Sequence, residues 1–124
     1  MFVSTIDANP QSKNANKRPK ITFEQTYFDY GTIIEGESGV AVFNIKNEGN
    51  LPLIINNITA SCGCIVPAWS KEQVLPGQKS QIKVIYNTNI IGEIKRSVTV
   101  TTNDPNQTRI VLILTGKVIE KIIN

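Results

Sequence analysis

From Ile21 onward the side chains alternate between apolar and polar with a period of two. In Val40–Asn47 (VAVFNIKN), Ala41, Phe43 and Ile45 fall on one face. Ile82, Val84 and Tyr86 repeat the pattern, and Ile94, Val98 and Val100 share a face with Lys95, Ser97, Thr99 and Thr101 opposite. Successive side chains of an extended backbone point to opposite faces, so each segment predicts a strand with one side in a core. Ile21–Glu24 opens an earlier strand that Tyr27–Gly31 closes. Leu51-Pro52-Leu53-Ile54-Ile55 leads into Ile58 and Ala60, and Pro52 suits a strand entry or an edge. Ile110–Leu114 is apolar on both parities, as in a central strand covered on both sides or one near a dimer interface.

Turn signals separate these segments: Gly36–Gly39, Glu48-Gly49-Asn50, Pro76-Gly77, Ile91-Gly92-Glu93 and Asn103–Asn106. Residues 67–78 read as one long connection. About seven strands with turns every ~8–12 residues and no helical period predict an immunoglobulin-like β-sandwich, all-β, with two antiparallel sheets. Abundant Ile and Val favour the same class. A chain of 124 residues has room for one domain with a core that needs no staple. Residues 1–20 are too poor in apolar side chains to offset their ordering entropy. They predict a flexible basic leader or linker before a sandwich domain at 21–124.

The formal charge of +3 changes little. Lys13, Lys17, Arg18 and Lys20 stand against Asp7 alone in the leader, which leaves the rest of the chain neutral. A nucleic-acid partner, which would need basic residues gathered on one face of the fold, is not expected. No apolar run approaches the ~20 residues of a membrane span. The absence of histidine removes Ser-His-Asp and Cys-His nucleophile systems, together with the commonest zinc and copper ligand. No enzyme activity and no cofactor are expected.

One tetrapeptide, Ser61-Cys62-Gly63-Cys64, holds both cysteines. In extended chain, Cα atoms two apart lie about 6.6 Å from one another, and disulfides span about 4.4–6.8 Å. An internal bond is therefore within reach, and Gly63 permits the bend. Four roles fit: small side chains shaping a turn, a reversible dithiol–disulfide pair, a two-thiolate copper(I) site at Cys62 and Cys64, or a disulfide to a partner. Zinc would need two further ligands. Trp69, five residues beyond Cys64, suits either a packed loop aromatic or a partner contact.

Phe28-Asp29-Tyr30-Gly31, Asn47-Glu48-Gly49-Asn50 with Leu53, Leu75-Pro76-Gly77-Gln78, Thr102-Asn103-Asp104-Pro105 and Gly116 form an ordered set. The set resembles the immunoglobulin-like domains of the hydin and major sperm protein superfamily, akin to the pilus-chaperone sandwich. With Ser61–Cys64 added, the chain is similar to an uncharacterised bacterial family, a domain of unknown function common in secreted proteins and lipoproteins. Tyr86-Asn87-Thr88 departs from the aromatic-then-proline pattern of many such domains. The resemblance implies a non-enzymatic protein-binding or assembly module in the periplasm or cell envelope. A lipid anchor removed with an upstream signal would fit, and the partner would be a protein, bound for example by strand addition at a sheet edge. A thiol-redox or copper(I)-binding role for the Cys-Gly-Cys pair is the alternative.

Overall fold

The computed structural model describes residues 17–122. Eight strands follow in order: β1 (Ile21–Phe23), β2 (Tyr27–Ile34), β3 (Val40–Asn47), β4 (Ile55–Ala60), β5 (Ile65–Trp69), β6 (Lys79–Tyr86), β7 (Gly92–Thr102) and β8 (Arg109–Ile119). Sheet A runs β1-β3-β6-β5 and sheet B runs β2-β8-β7-β4. The all-β sandwich expected from the alternation is the observed architecture. Strand connectivity matches the immunoglobulin pattern, with β3, β6 and β5 in one layer and β4, β7 and β8 in the other.

Alternation explains the packing. Ala41, Phe43 and Ile45 of β3 and Ile82, Val84 and Tyr86 of β6 are buried against Ile94, Val98, Val100, Leu112, Leu114 and Val118 of sheet B. Each fully buried aliphatic side chain contributes roughly 1.5–3 kcal/mol, so this interlayer core is the main source of stability.

The structure corrects four expectations. The segment Ile21–Gly31 is two strands, because the chain leaves sheet A after Phe23 and β2 pairs with β8 in sheet B. That pairing is parallel, so sheet B is mixed. The connection after the cysteines begins later than expected, since Pro67 lies inside β5 and reads as a breaker only from sequence. β8 is central in its sheet but covered on one side: Leu112 and Leu114 are buried while Val111 and Ile113 are exposed, because only two layers are present.

Residues 17–20, grouped by composition with the leader, run onto the sandwich. Pro19 is buried, the Arg18 amide donates to Asn50 Oδ1 at 2.9 Å, and Glu48 N–H donates to the Lys20 carbonyl at 2.8 Å. The remainder of the predicted leader, residues 1–16, lies outside the described residues.

Gly116 has φ 144°, and β2 places two residues, Tyr30 and Gly31, opposite it. A Cβ at Gly116 would meet Gly31 O and Tyr30 Cβ at 2.9 Å. This is a β-bulge carried by β2, with Gly116 as the gap that admits it.

Candidate functional site

Ser61–Cys64 is the corner by which the chain crosses from β4, an edge of sheet B, to β5, an edge of sheet A. Both flanks are held by the backbone. Ser61 N–H donates to Ser97 O at 2.9 Å, and Ser97 N–H donates to Ser61 Oγ at 3.1 Å. On the other side Asn87 N–H donates to the Cys64 carbonyl at 2.8 Å.

Cys62 and Cys64 are joined as a disulfide across a Cα separation of 5.2 Å, inside the span expected for such a bond. Both are half-buried against the core, while Ser61 and Gly63 are exposed. A Cβ at Gly63 would find nothing within 4 Å, so the outer side of the ring is open. The loop is so short that its chain-entropy contribution is on the order of 1.5 kcal/mol. As a disulfide the pair presents no thiolate, so metal binding would first require reduction. No cluster of three Cys, Asp or Glu suited to a metal exists among the described residues.

Sequence reasoning missed Arg96. The β4–β7 register ends at Ala60↔Val98, the Ser61–Ser97 contact follows it, and Cys62 and Arg96 are the next residues on either segment. Arg96 has the same parity as the buried Ile94 and Val98 yet is exposed, where β4 has left the sheet. It forms no salt bridge among the described residues. The only sequence signal was a charge on the core-facing parity of a strand.

Trp69, read from sequence as either a packed loop aromatic or a partner contact, is the last residue of β5 and not part of a loop. Its parity is that of Ile65, and it packs half-buried against the core. The Lys71 ammonium lies 5.4 Å from its ring centroid. The indole Nε1 is buried without an acceptor among the described residues.

Beside this corner, the outer face of sheet A carries an apolar rung. Val40 pairs with Ile85, and Ile85 pairs with Val66, so the three cross β3, β6 and β5 in a line. They are 41%, 41% and 59% exposed. Val42, Lys83 and Ala68 form the next rung. Farther along the same face the surface turns polar and self-paired: Asn44 Nδ2 donates to Glu24 at 3.1 Å and Gln81 Nε2 to Asn44 at 3.1 Å.

The four sheet edges are each interrupted. β1 has three residues, β2 is bulged, and the β4–β7 register shifts between Ile55 and Asn57. In β6, Tyr86 N–H turns to Gly39 of the β3 side and Asn87 N–H to Cys64 of the β5 side. By the same alternation Val66 and Ala68 pair with β6, and Pro67 points its nitrogen outward. The free edge of β5 therefore lacks its central donor, which is how Pro is tolerated there.

The motif residues outside this corner are structural. Asn47, fully buried, donates through Nδ2 to Leu51 O at 2.7 Å and Val74 O at 2.8 Å. Its Oδ1 accepts from Lys20 N–H and Gly49 N–H. Asp104, read from sequence as a turn residue, is fully buried, accepting from Arg18 Nη1 at 2.8 Å, Ile21 N–H at 3.1 Å and Asn106 N–H at 2.9 Å.

Solved structures share this fold. A Porphyromonas gingivalis W83 protein of unknown function matches with a TM-score of 0.74 at 18% identity, over 83% of this chain and 48% of that one. The chain thus spans about half the length of that protein. The seventh PapD-like domain of human CEP192 matches with a TM-score of 0.68 at 10% identity, over 98% and 96% of the two chains. The periplasmic chaperone SfaE matches with a TM-score of 0.57 at 16% identity, over 84% and 61%. No curated protein matches the sequence. The profile of one protein family covers residues 21–118, and the chain belongs to that family, the proteins of unknown function DUF1573.

Proposed function

We propose that this domain is a non-catalytic protein-binding or assembly module that works outside the cytoplasm. The observation that carries the reading is the apolar rung Val40–Ile85–Val66, with Val42 and Ala68 in the rung beside it, on a sheet face that turns polar and self-paired beyond them. Three adjacent β-branched side chains in water offer a partner apolar area to cover. The likeness to PapD-like and chaperone sandwiches supports a protein as that partner. The Cys62–Cys64 disulfide supports an oxidising compartment.

Recognition through the face of sheet A is the better supported mode. Strand addition is the second, since every edge is shortened, bulged or shifted, or broken by Pro67. A lipid anchor upstream of the domain would hold such a module at the envelope.

The test is site-specific photo-crosslinking in envelope fractions of the source cell. A photoreactive residue at Val66 or Ile85 should give a discrete protein adduct that the same group at Thr101, on the outer face of sheet B, does not. Adducts absent at all three positions would sink the reading. An adduct at Thr101 alone would overturn sheet A as the contact face and move it to sheet B.

A further inference from the structure

We propose that the Cys62–Cys64 disulfide is a thiol-exchange site, reduced by a partner dithiol while the sandwich stays folded, with Arg96 holding the departing thiolate. The inference stands apart from the protein-binding reading, because its readout needs no docking partner.

Three observations carry it. First, the fold does not hang on the bond. Ser61 is fixed to Ser97 on one flank and Cys64 to Asn87 on the other by hydrogen bonds that involve no sulfur. The bond bridges residues only two apart, so it constrains little of the unfolded chain. Second, the ring can be approached. Cys62 and Cys64 are only half-buried, at a corner whose Ser61 and Gly63 are exposed. Third, Ser61 pairs with Ser97, and Cys62 and the unpaired cation Arg96 are the next residues beyond that pair on the two chain segments. Arg96 shares the face of Ile94 and Val98, is exposed, and has no acidic partner among the described residues. A neighbouring guanidinium favours thiolate over thiol, and a better thiolate is a better leaving group.

The exchange balances as follows. A thiolate of the partner dithiol attacks Sγ of Cys64, the S–S bond breaks, and its electron pair leaves on Sγ of Cys62 beside Arg96. The partner's second thiol loses its proton and attacks its own sulfur in the mixed disulfide, releasing Cys64 as a thiolate. Two electrons pass to the Cys62–Cys64 pair and the partner ends as a disulfide. Two protons return from solvent when the thiolates are protonated.

Dithiothreitol serves as the probe. The oxidised protein is mixed with it in native buffer, quenched in acid at intervals, alkylated and weighed, with circular dichroism followed in parallel. The expected result is two alkyl adducts appearing at a rate proportional to dithiothreitol, with an unchanged β-sheet spectrum. Arg96→Gln should slow the rate about threefold, because the departing thiolate loses its neighbouring cation. Arg96→Lys should restore it, and Lys95→Gln, on the opposite face of β7, should leave it alone. Alkylation only under unfolding conditions would overturn the exchange, and equal rates in wild type and Arg96→Gln would overturn the role of Arg96.

Discussion

The two ends of the sandwich solve the problem of joining strands in opposite ways. At the end where the chain enters, Asn47 and Asp104 are fully buried, and between them they hold Arg18, Lys20, Ile21, Gly49, Leu51, Val74 and Asn106. At the other end the chain changes sheets through Ser61–Cys64 with one backbone pair on each flank and a disulfide that spans three residues. Buried polar hubs must be fully satisfied or they cost stability, so the entry end is rigid and intolerant. An exposed corner with local links tolerates change. A domain built this way has a fully bonded polar scaffold at one end and a locally held corner at the other.

Substitutions can break that contrast. Asp104→Ala should have the largest effect, about 3 kcal/mol lost, because it strands the Arg18 guanidinium and the Ile21 amide at once. Urea denaturation would show it as a lower midpoint at unchanged slope. Asn47→Ala should lose about 2 kcal/mol in the same assay, taking the side-chain donor from Leu51 O and the acceptor from the Lys20 and Gly49 amides. Replacing both Cys62 and Cys64 by Ser should lose no more than about 1.5 kcal/mol, the entropic contribution of so short a loop. A loss as large as that of Asp104→Ala would abolish the contrast.

Tyr30 sharpens the comparison through pH. Its hydroxyl donates to Gly39 O at 2.7 Å, near the Cys end. Burial, with the neighbouring Tyr86 adding to it, pushes its pKa from 10.0 up to about 12. The folded state therefore favours the neutral phenol. Its contribution is fully present below pH 10 and is lost as pH rises toward 12. Tyr30→Phe should lose about 1 kcal/mol at pH 7, and should lessen the fall in thermal midpoint between pH 10 and 12 seen in the wild type.

Much of the fold was legible because a strand's period of two is written directly in residues such as Ala41, Phe43 and Ile45. What alternation does not encode is the layer a strand joins. The crossing after Phe23 was hidden because Phe23 and Phe28 are both apolar and both pack on the same core from different sheets. β5 was hidden by Pro67, whose outward nitrogen only the ladder reveals. For the site, the cysteine spacing announced that a bond was within reach. Arg96 was invisible because its meaning depends on where β4 ends, which is a fact of pairing and not of pattern.

Hydrogen exchange with mass spectrometry on the oxidised and dithiothreitol-reduced protein tests the division of labour most directly. Reduction should raise exchange only around residues 60–66, 87 and 95–97, leaving the amides of Ile21, Asn47 and Asn106 as protected as before. Loss of protection at the Asn47 and Asp104 hubs on reduction would contradict it, since the disulfide would then be holding the whole sandwich.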